Sequence, residues 1–217
     1  MSEALPADSP GVPGAVPRVG AGLEETPRVG RPRDPRVDTA VHAATLELLV
    51  ESGYQATTVQ AIAQRAGVSA PTVYRRWANK AEIVEESVFP SGLLAPETLT
   101  GDIISDLQPY CLLILRHLSS PAVRAAIPGL LTEYQTNPAM WQRVVERSVT
   151  PMRNGFAAFA TRAGGRPVAD LDAVFDVMLG ALFTRALNVG AADAEEFARQ
   201  VSLVVTTALD PDSVSRP

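Results

Sequence analysis

The chain has 217 residues, 46% of them hydrophobic, a formal net charge of −5 and one cysteine, Cys111. That length suits a small domain plus a medium one, or a single helical unit. One cysteine excludes an intrachain disulfide and a cysteine-built zinc cluster, and no run of about 18 apolar residues offers a membrane span.

Residues 1–30 carry Pro6, Pro10, Pro13, Pro17 and Pro27 with no apolar periodicity, and read as a disordered tail. No basic stretch precedes an apolar run there, so the tail is not a secretory signal and a cytoplasmic location is expected. Arg31 and Arg33 then form a basic arm. Docked, it reaches phosphates or a minor groove; undocked, it is a basic linker.

Asp34 followed by Pro35 starts a helix expected to run to about Ser52, with Val37, Val41, Ala44, Leu48 and Leu49 on its apolar face and Gly53 ending it. His42 falls off that stripe and is expected in solvent. Thr57 or Thr58 caps a second helix over about 58–66, and Val59, Ile62, Ala63 and Ala66 recur at helical spacing. Gly67 permits a left-handed turn, Ser69 caps a third helix over about 70–77, and Pro71 sits in its first turn. Two short helices around Ala66-Gly67-Val68-Ser69 make a helix-turn-helix, the unit that places its second helix in a DNA major groove. Asn79 caps a fourth helix from Lys80, with Glu82 as its capping-box partner, fading near Phe89.

From Asp102 the texture is helical to the end, giving an all-α chain of about nine helices with no strand alternation. Helices are expected over 102–119, 121–135, 138–163, 170–189 and 193–209. Pro109, Pro128 and Pro151 disturb the first three, and Gly164-Gly165 breaks the chain after them. Cys111 lies in an apolar run and reads as a core thiol.

Charge is divided unevenly. Residues 28–80 hold eight basic groups (Arg28, Arg31, Arg33, Arg36, Arg65, Arg75, Arg76, Lys80) against four acidic ones (Asp34, Asp38, Glu47, Glu51), whereas residues 81–217 hold ten basic against sixteen acidic groups. A positive front suits contact with a polyanion.

The stretch over 53–80 resembles the DNA-binding domain of the TetR family of bacterial transcription regulators. The resemblance is carried in order by Gly53-Tyr54, Thr57-Thr58, Ile62-Ala63, Ala66-Gly67-Val68-Ser69, Thr72-Val73-Tyr74, an aromatic Trp77 two residues after Arg75, and Asn79-Lys80. It covers Arg33 to about Val84; the remainder matches in size and helical texture. The division this implies is a tail over 1–30, a DNA-binding domain over 31–79 and a ligand and dimer domain over 80–210.

The DNA-contacting set is Arg31, Arg33, Thr57, Thr58, Ser69, Ala70, Pro71, Thr72, Tyr74, Arg75, Arg76 and Lys80. Caps at helix N-termini favour phosphate, Tyr74 offers a phenol, and an arginine fork can be bidentate to guanine. The resemblance makes Lys80 a phosphate clamp and Trp77 a core anchor, and turns Ala70, Pro71 and Thr72 toward the bases. Ala70 and Pro71 offer only apolar contact, which leaves the operator sequence unreadable.

The helix over 170–189 is apolar nearly all round, so it must be covered all round. Ala173, Val177, Gly180, Ala181 and Thr184 form a small-residue face, and Phe197, Val201, Val204, Val205 and Ala208 follow on the last helix. These predict a twofold dimer with a four-helix interface, setting two reading heads about 34–36 Å apart. Asp176 and Arg185 fall on opposite faces and are expected at the rim.

Between the fourth helix and the 170–189 helix the resemblance implies a ligand cavity. Its candidate walls are Tyr110, Tyr134, Trp141, Met152, Phe156, Phe159 and Met178, residues that also suit plain core. Few charges interrupt them, which favours an apolar effector, with Glu133, Arg116 and His117 either orienting it or solvated. The expected function is a homodimeric, ligand-released repressor on a palindromic operator, with double-stranded DNA, a small-molecule effector and a second copy as partners. An activator or an effector-independent regulator of the same fold is the alternative. No cofactor and no metal site are expected. His42 and His117 lie on separate helices without a metal-binding or nucleophile motif, so an enzyme is not expected.

Overall fold

A computed structural model describes residues 34–92, 100, 102–162 and 171–209. The tail over 1–30, Arg31, Arg33 and the Gly164-Gly165 break lie outside the described residues. Among the described residues every regular element is helical.

α1 (Pro35–Ala56) opens with the Asp34 carboxylate accepting from the Arg36 N–H, with Pro35 where its missing donor costs nothing. Gly53 breaks it, as expected, at φ 76° and ψ 175°, and a last turn follows. α2 (Val59–Arg65) is capped by Thr58, whose hydroxyl accepts from Ala61 N at 3.1 Å. Gly67, at φ 67°, turns the chain into α3 (Ala70–Tyr74), capped by Ser69. This third helix is shorter than its predicted span. α4 (Lys80–Val88) starts at the Asn79 cap, and the Glu82 carboxylate reaches back to Ala78 N at 2.6 Å.

Val41, Leu48, Val59, Ile62, Val73, Trp77 and Ile83 close a small core among α1 to α4. Ala81, Val84 and Val88 of α4 belong to a second, larger core with α5 (Ile103–Leu118), α6 (Pro121–Thr136) and the elements beyond. Ile83 therefore faces one core while its neighbour Val84 faces the other. α1 also lies along α6. The approach is tight: a β-carbon at Gly129 would stand 2.0 Å from the Tyr54 ring, so only glycine admits that ring.

α7 (Pro138–Val144) passes through a π turn, Val145–Val149, into α8 (Thr150–Arg162). A kink is expected from Pro151, and the structure meets that proline with the π turn. Proline has no N–H and crowds the carbonyl four residues back; a wider turn relieves both. α9 (Leu171–Asn188) and α10 (Ala194–Leu209) pack on α5.

Several expected placements are corrected. Asp176 stays exposed, and within the chain it is clasped by Arg153, Nη2 to Oδ1 2.6 Å. The same guanidinium pairs with Asp172 at 3.1 Å and covers the Phe175 ring. Arg185 donates to the Ala192 carbonyl and covers the half-buried Phe197. Val201 and Val205 point into the chain's own core, while Ala173, Val177, Gly180, Thr184, Leu203, Val204 and Ala208 are exposed.

Candidate nucleic-acid interface and adjoining cavity

The turn and α3 present an exposed polar edge: Thr58, Ser69, Tyr74 and Arg75, with Pro71 between them and Ala70 and Thr72 half-buried. The Ser69 and Thr72 hydroxyls lie 2.9 Å apart. Helix propensity cannot hold five residues by itself. Val73 does so, buried in the small core, and Trp77 closes the segment behind it. Tyr74 is 49% exposed, on the side of α3 away from Val73.

The basic residues divide. The Arg75 side chain makes no hydrogen bond or ion pair among the described residues, so its fork is uncommitted, while its backbone N–H donates to Pro71 O at 3.1 Å. Arg76 instead pairs with Asp38 and donates to the Asp34 carbonyl at 3.1 Å, tying α3 to the start of α1. Arg65 bridges Glu47 at 3.1 Å and Glu51 at 2.7 Å, locking α2 to α1. Lys80 donates to the Tyr54 carbonyl at 2.9 Å with its ammonium 4.0 Å above the Tyr54 ring. Partial burial holds its pKa below the ordinary lysine value. Thr57 is fully buried, its hydroxyl donating to Gly53 O at 2.8 Å, and so stands off the edge; Thr58 is the exposed cap. Arg76 and Thr57 fall away because each finds a partner within its own domain, something spacing along a helix does not reveal.

A cluster behind the edge escapes sequence reasoning. His42 packs edge-on against Trp77 and shares a 2.9 Å hydrogen bond with Ser87; it is not in solvent. Trp77 Nε1 donates to Glu86 at 2.6 Å. Arg147, on the π turn, pairs with buried Glu85, reaches Glu86 at 3.3 Å and donates to Phe89 O at 3.3 Å. Burial raises the Glu85 pKa, against the pull of Arg147. His117 of α5 bonds through Nε2 to the Val88 carbonyl at 2.8 Å, and burial lowers its pKa. The N–H donates there, so the ring is the neutral Nε2 tautomer. The C-terminal carbonyls of α4 are thus capped from α5 and from the π turn. Nothing in a 62-residue separation foretells the Arg147–Glu85 pairing.

Those same segments border a cavity of about 340 Å³ among α4 to α9. Tyr134, Trp141 and Met152 of the candidate set line it, with Ile114, His117, Leu130, Ser148 and Phe183. Tyr110, Phe156, Phe159 and Met178 do not; they are buried in the larger core. Glu133 accepts from the Tyr54 phenol at 3.3 Å and Arg116 pairs with Glu195, so neither lines the space. Burial pushes the Cys111 thiol up to about 12, which leaves it a protonated core group. Among the described residues no cluster of side chains has the makings of a metal site, and no helix is long and apolar enough to cross a membrane.

Comparison with known proteins gives a consistent picture. The model for "Bacterial regulatory proteins, tetR family" matches residues 42–87, and that for "Tetracyclin repressor-like, C-terminal domain" matches residues 98–205. A Bacillus subtilis protein named "Uncharacterized HTH-type transcriptional regulator YdeS" is 29% identical over 177 residues, 79% of this chain and 89% of that one. The "DNA-binding transcriptional repressor TetR" of Mycobacteroides abscessus is 26% identical over 161 residues, 70% of this chain and 82% of that one. Among solved structures, the regulator FadR of Bacillus subtilis in complex with stearoyl-CoA superposes with a TM-score of 0.58 at 16% identity, covering 79% of this chain and 97% of that one. At that identity the likeness is one of fold.

Proposed function

Since the chain belongs to the TetR family of bacterial regulatory proteins, we propose that this transcriptional regulator is a homodimeric repressor. It binds a palindromic operator through α3 and is released when an apolar effector fills the cavity. One observation carries the reading: α4 is packed into the DNA-reading core through Ile83 and held at its far end by His117, which lines the cavity, and by Arg147, next to the lining residue Ser148. A displacement of its C-terminal end moves the element on which α3 rests.

The reading edge is Thr58, Ser69, Pro71, Thr72, Tyr74 and Arg75, with Ala70 beside them. Lys80 acts through the Tyr54 carbonyl it holds and through the N-terminus of α4. Ala173, Val177, Gly180 and Thr184, with Val204 and Ala208, are the faces that meet a second copy; Ala181 lies partly covered beside them. Twofold symmetry then gives two heads for successive major grooves. Ligand and DNA prefer different states of the dimer, and a coupling of about 1–3 kcal/mol changes operator affinity roughly 5- to 150-fold. The relatives are named as transcriptional regulators, and the chemistry proposed for this chain is binding rather than catalysis.

Footprinting on the DNA flanking the protein's own gene tests the reading. A protected palindrome overlapping a promoter is expected, with protection lost on adding an effector. Protection that no ligand relieves rejects ligand release, and protection upstream of the promoter makes the protein an activator.

A further inference from the structure

Two residues that line the cavity carry buried hydroxyls without a partner. Tyr134 Oη, on α6, and Ser148 Oγ, on the π turn, make no hydrogen bond. An unmatched buried hydroxyl is costly, and each can donate or accept. Among the described residues that line the cavity there is no lysine or arginine. The lining carboxylate, Asp176, is already clasped by Arg153, and His117 is neutral with its N–H engaged by Val88. Arg147, next to Ser148, stands between Glu85 and Glu86, so that trio adds no net positive charge. An ionised head entering this space would lose its water and gain no uncommitted counter-charge. The volume, about 340 Å³, is at the small end for ligand sites, which run from about 300 to 1,000 Å³.

We propose that the cavity takes a neutral molecule with an apolar body and one hydroxyl or carbonyl head, received by the Tyr134 and Ser148 hydroxyls. The proposal rests on the effector reading above and narrows it: carboxylates, acyl thioesters bearing phosphates, and ammonium compounds are refused.

Trp141 supplies the readout, since it lines the cavity with its ring centroid 5.5 Å from that of Tyr134. The full chain is titrated at neutral pH with 1-octanol, 1-chlorooctane, octanoate and octylammonium while tryptophan emission is followed. A Trp141→Phe variant subtracts the signal of Trp77. 1-Octanol is expected to bind at least tenfold more tightly than either ionised probe. In a Tyr134→Phe/Ser148→Ala variant 1-octanol weakens about tenfold, the yield of one or two hydrogen bonds, while 1-chlorooctane, which has no head to lose, is unchanged. Octanoate or octylammonium binding as well as 1-octanol overturns the proposal, as does a double variant that treats 1-octanol and 1-chlorooctane alike. If the double variant does not fold, Tyr134→Phe alone carries that comparison, and the ionised probes on the unaltered chain decide independently. Silence from all four probes removes the cavity as a ligand site, and the effector reading with it. Binding of the ionised probes removes the head-group inference alone.

Discussion

Arg75 and Arg76 are adjacent, yet only the Arg75 guanidinium is uncommitted among the described residues. Arg75→Ala is expected to leave folding intact and weaken operator binding by about 1–3 kcal/mol per half-site, with relaxed sequence preference. Arg76→Ala is expected to do the reverse: a loss of about 1–2 kcal/mol in thermal unfolding, from breaking a mostly covered charged hydrogen bond, with little change in preference. Binding titrations and melting curves on the two variants separate these outcomes. The histidines set a pH dependence. Burial holds both His42 and His117 below the ordinary 6.5. The unfolded chain therefore takes up protons first as pH falls through 6.5, and their contribution to stability declines from there downward. Glu85, raised above 4.5 by burial, acts in the opposite sense at lower pH, because its folded form protonates first. A denaturant midpoint that falls between pH 7 and pH 5.5, and falls less in a His42→Asn/His117→Gln variant, is the expected result. The sequence put His42 in solvent because a stripe along one helix cannot see Trp77 arriving from the α3–α4 link and Ser87 from α4.

At the scale of elements, α4 and the π turn matter most. Arg147 joins them through Glu85, and removing one partner leaves a buried charge. Arg147→Leu alone is expected to cost about 3–5 kcal/mol, whereas Arg147→Leu with Glu85→Leu is expected to be neutral or stabilising. The double variant should still bind operator while ligand-driven release weakens, read by mobility shift with and without effector. Full release in that variant would move the coupling to the His117–Val88 contact. Most element boundaries were legible, because Asp34, Thr58, Ser69, Asn79 and Asp102 declare their helices by local chemistry. The π turn was legible only as a proline disturbance, since the widened turn depends on how the chain around Pro151 repacks. The cavity was half legible: Tyr134, Trp141 and Met152 face it, while Phe156, Phe159 and Met178 share the same spacing and face the core. Apolar stripes tell which side of a helix is covered, and do not tell whether side chains or a void cover it.

For the whole molecule, the outward stripes of α9 and α10 are an apolar feature that the described residues leave uncovered. Val177 is 64% exposed and Val204 62%. Fully covering such a side chain contributes about 1.5–3 kcal/mol. Val177→Asp with Val204→Asp is expected to give a folded monomer by light scattering, with operator affinity reduced to that of a single head. The small residues of α9 recur at helical spacing in the sequence, whereas Val201 and Val205 of the last helix, expected to meet a second copy, are buried within the chain. α10 turns them toward the chain's own core. The placement of the neighbours Ile83 and Val84 of α4 in two different cores reaches further than signalling. A helix that completes two cores makes them melt together. Calorimetry on the full chain should give one endotherm over the described region, with van't Hoff and calorimetric enthalpies in agreement. A fragment ending at Asn79 lacks Ile83 and should be largely unfolded at room temperature. On the proposed function, a reading head that folds only together with the cavity-bearing helices is also one that proteolysis would not cut loose to occupy operators beyond an effector's control.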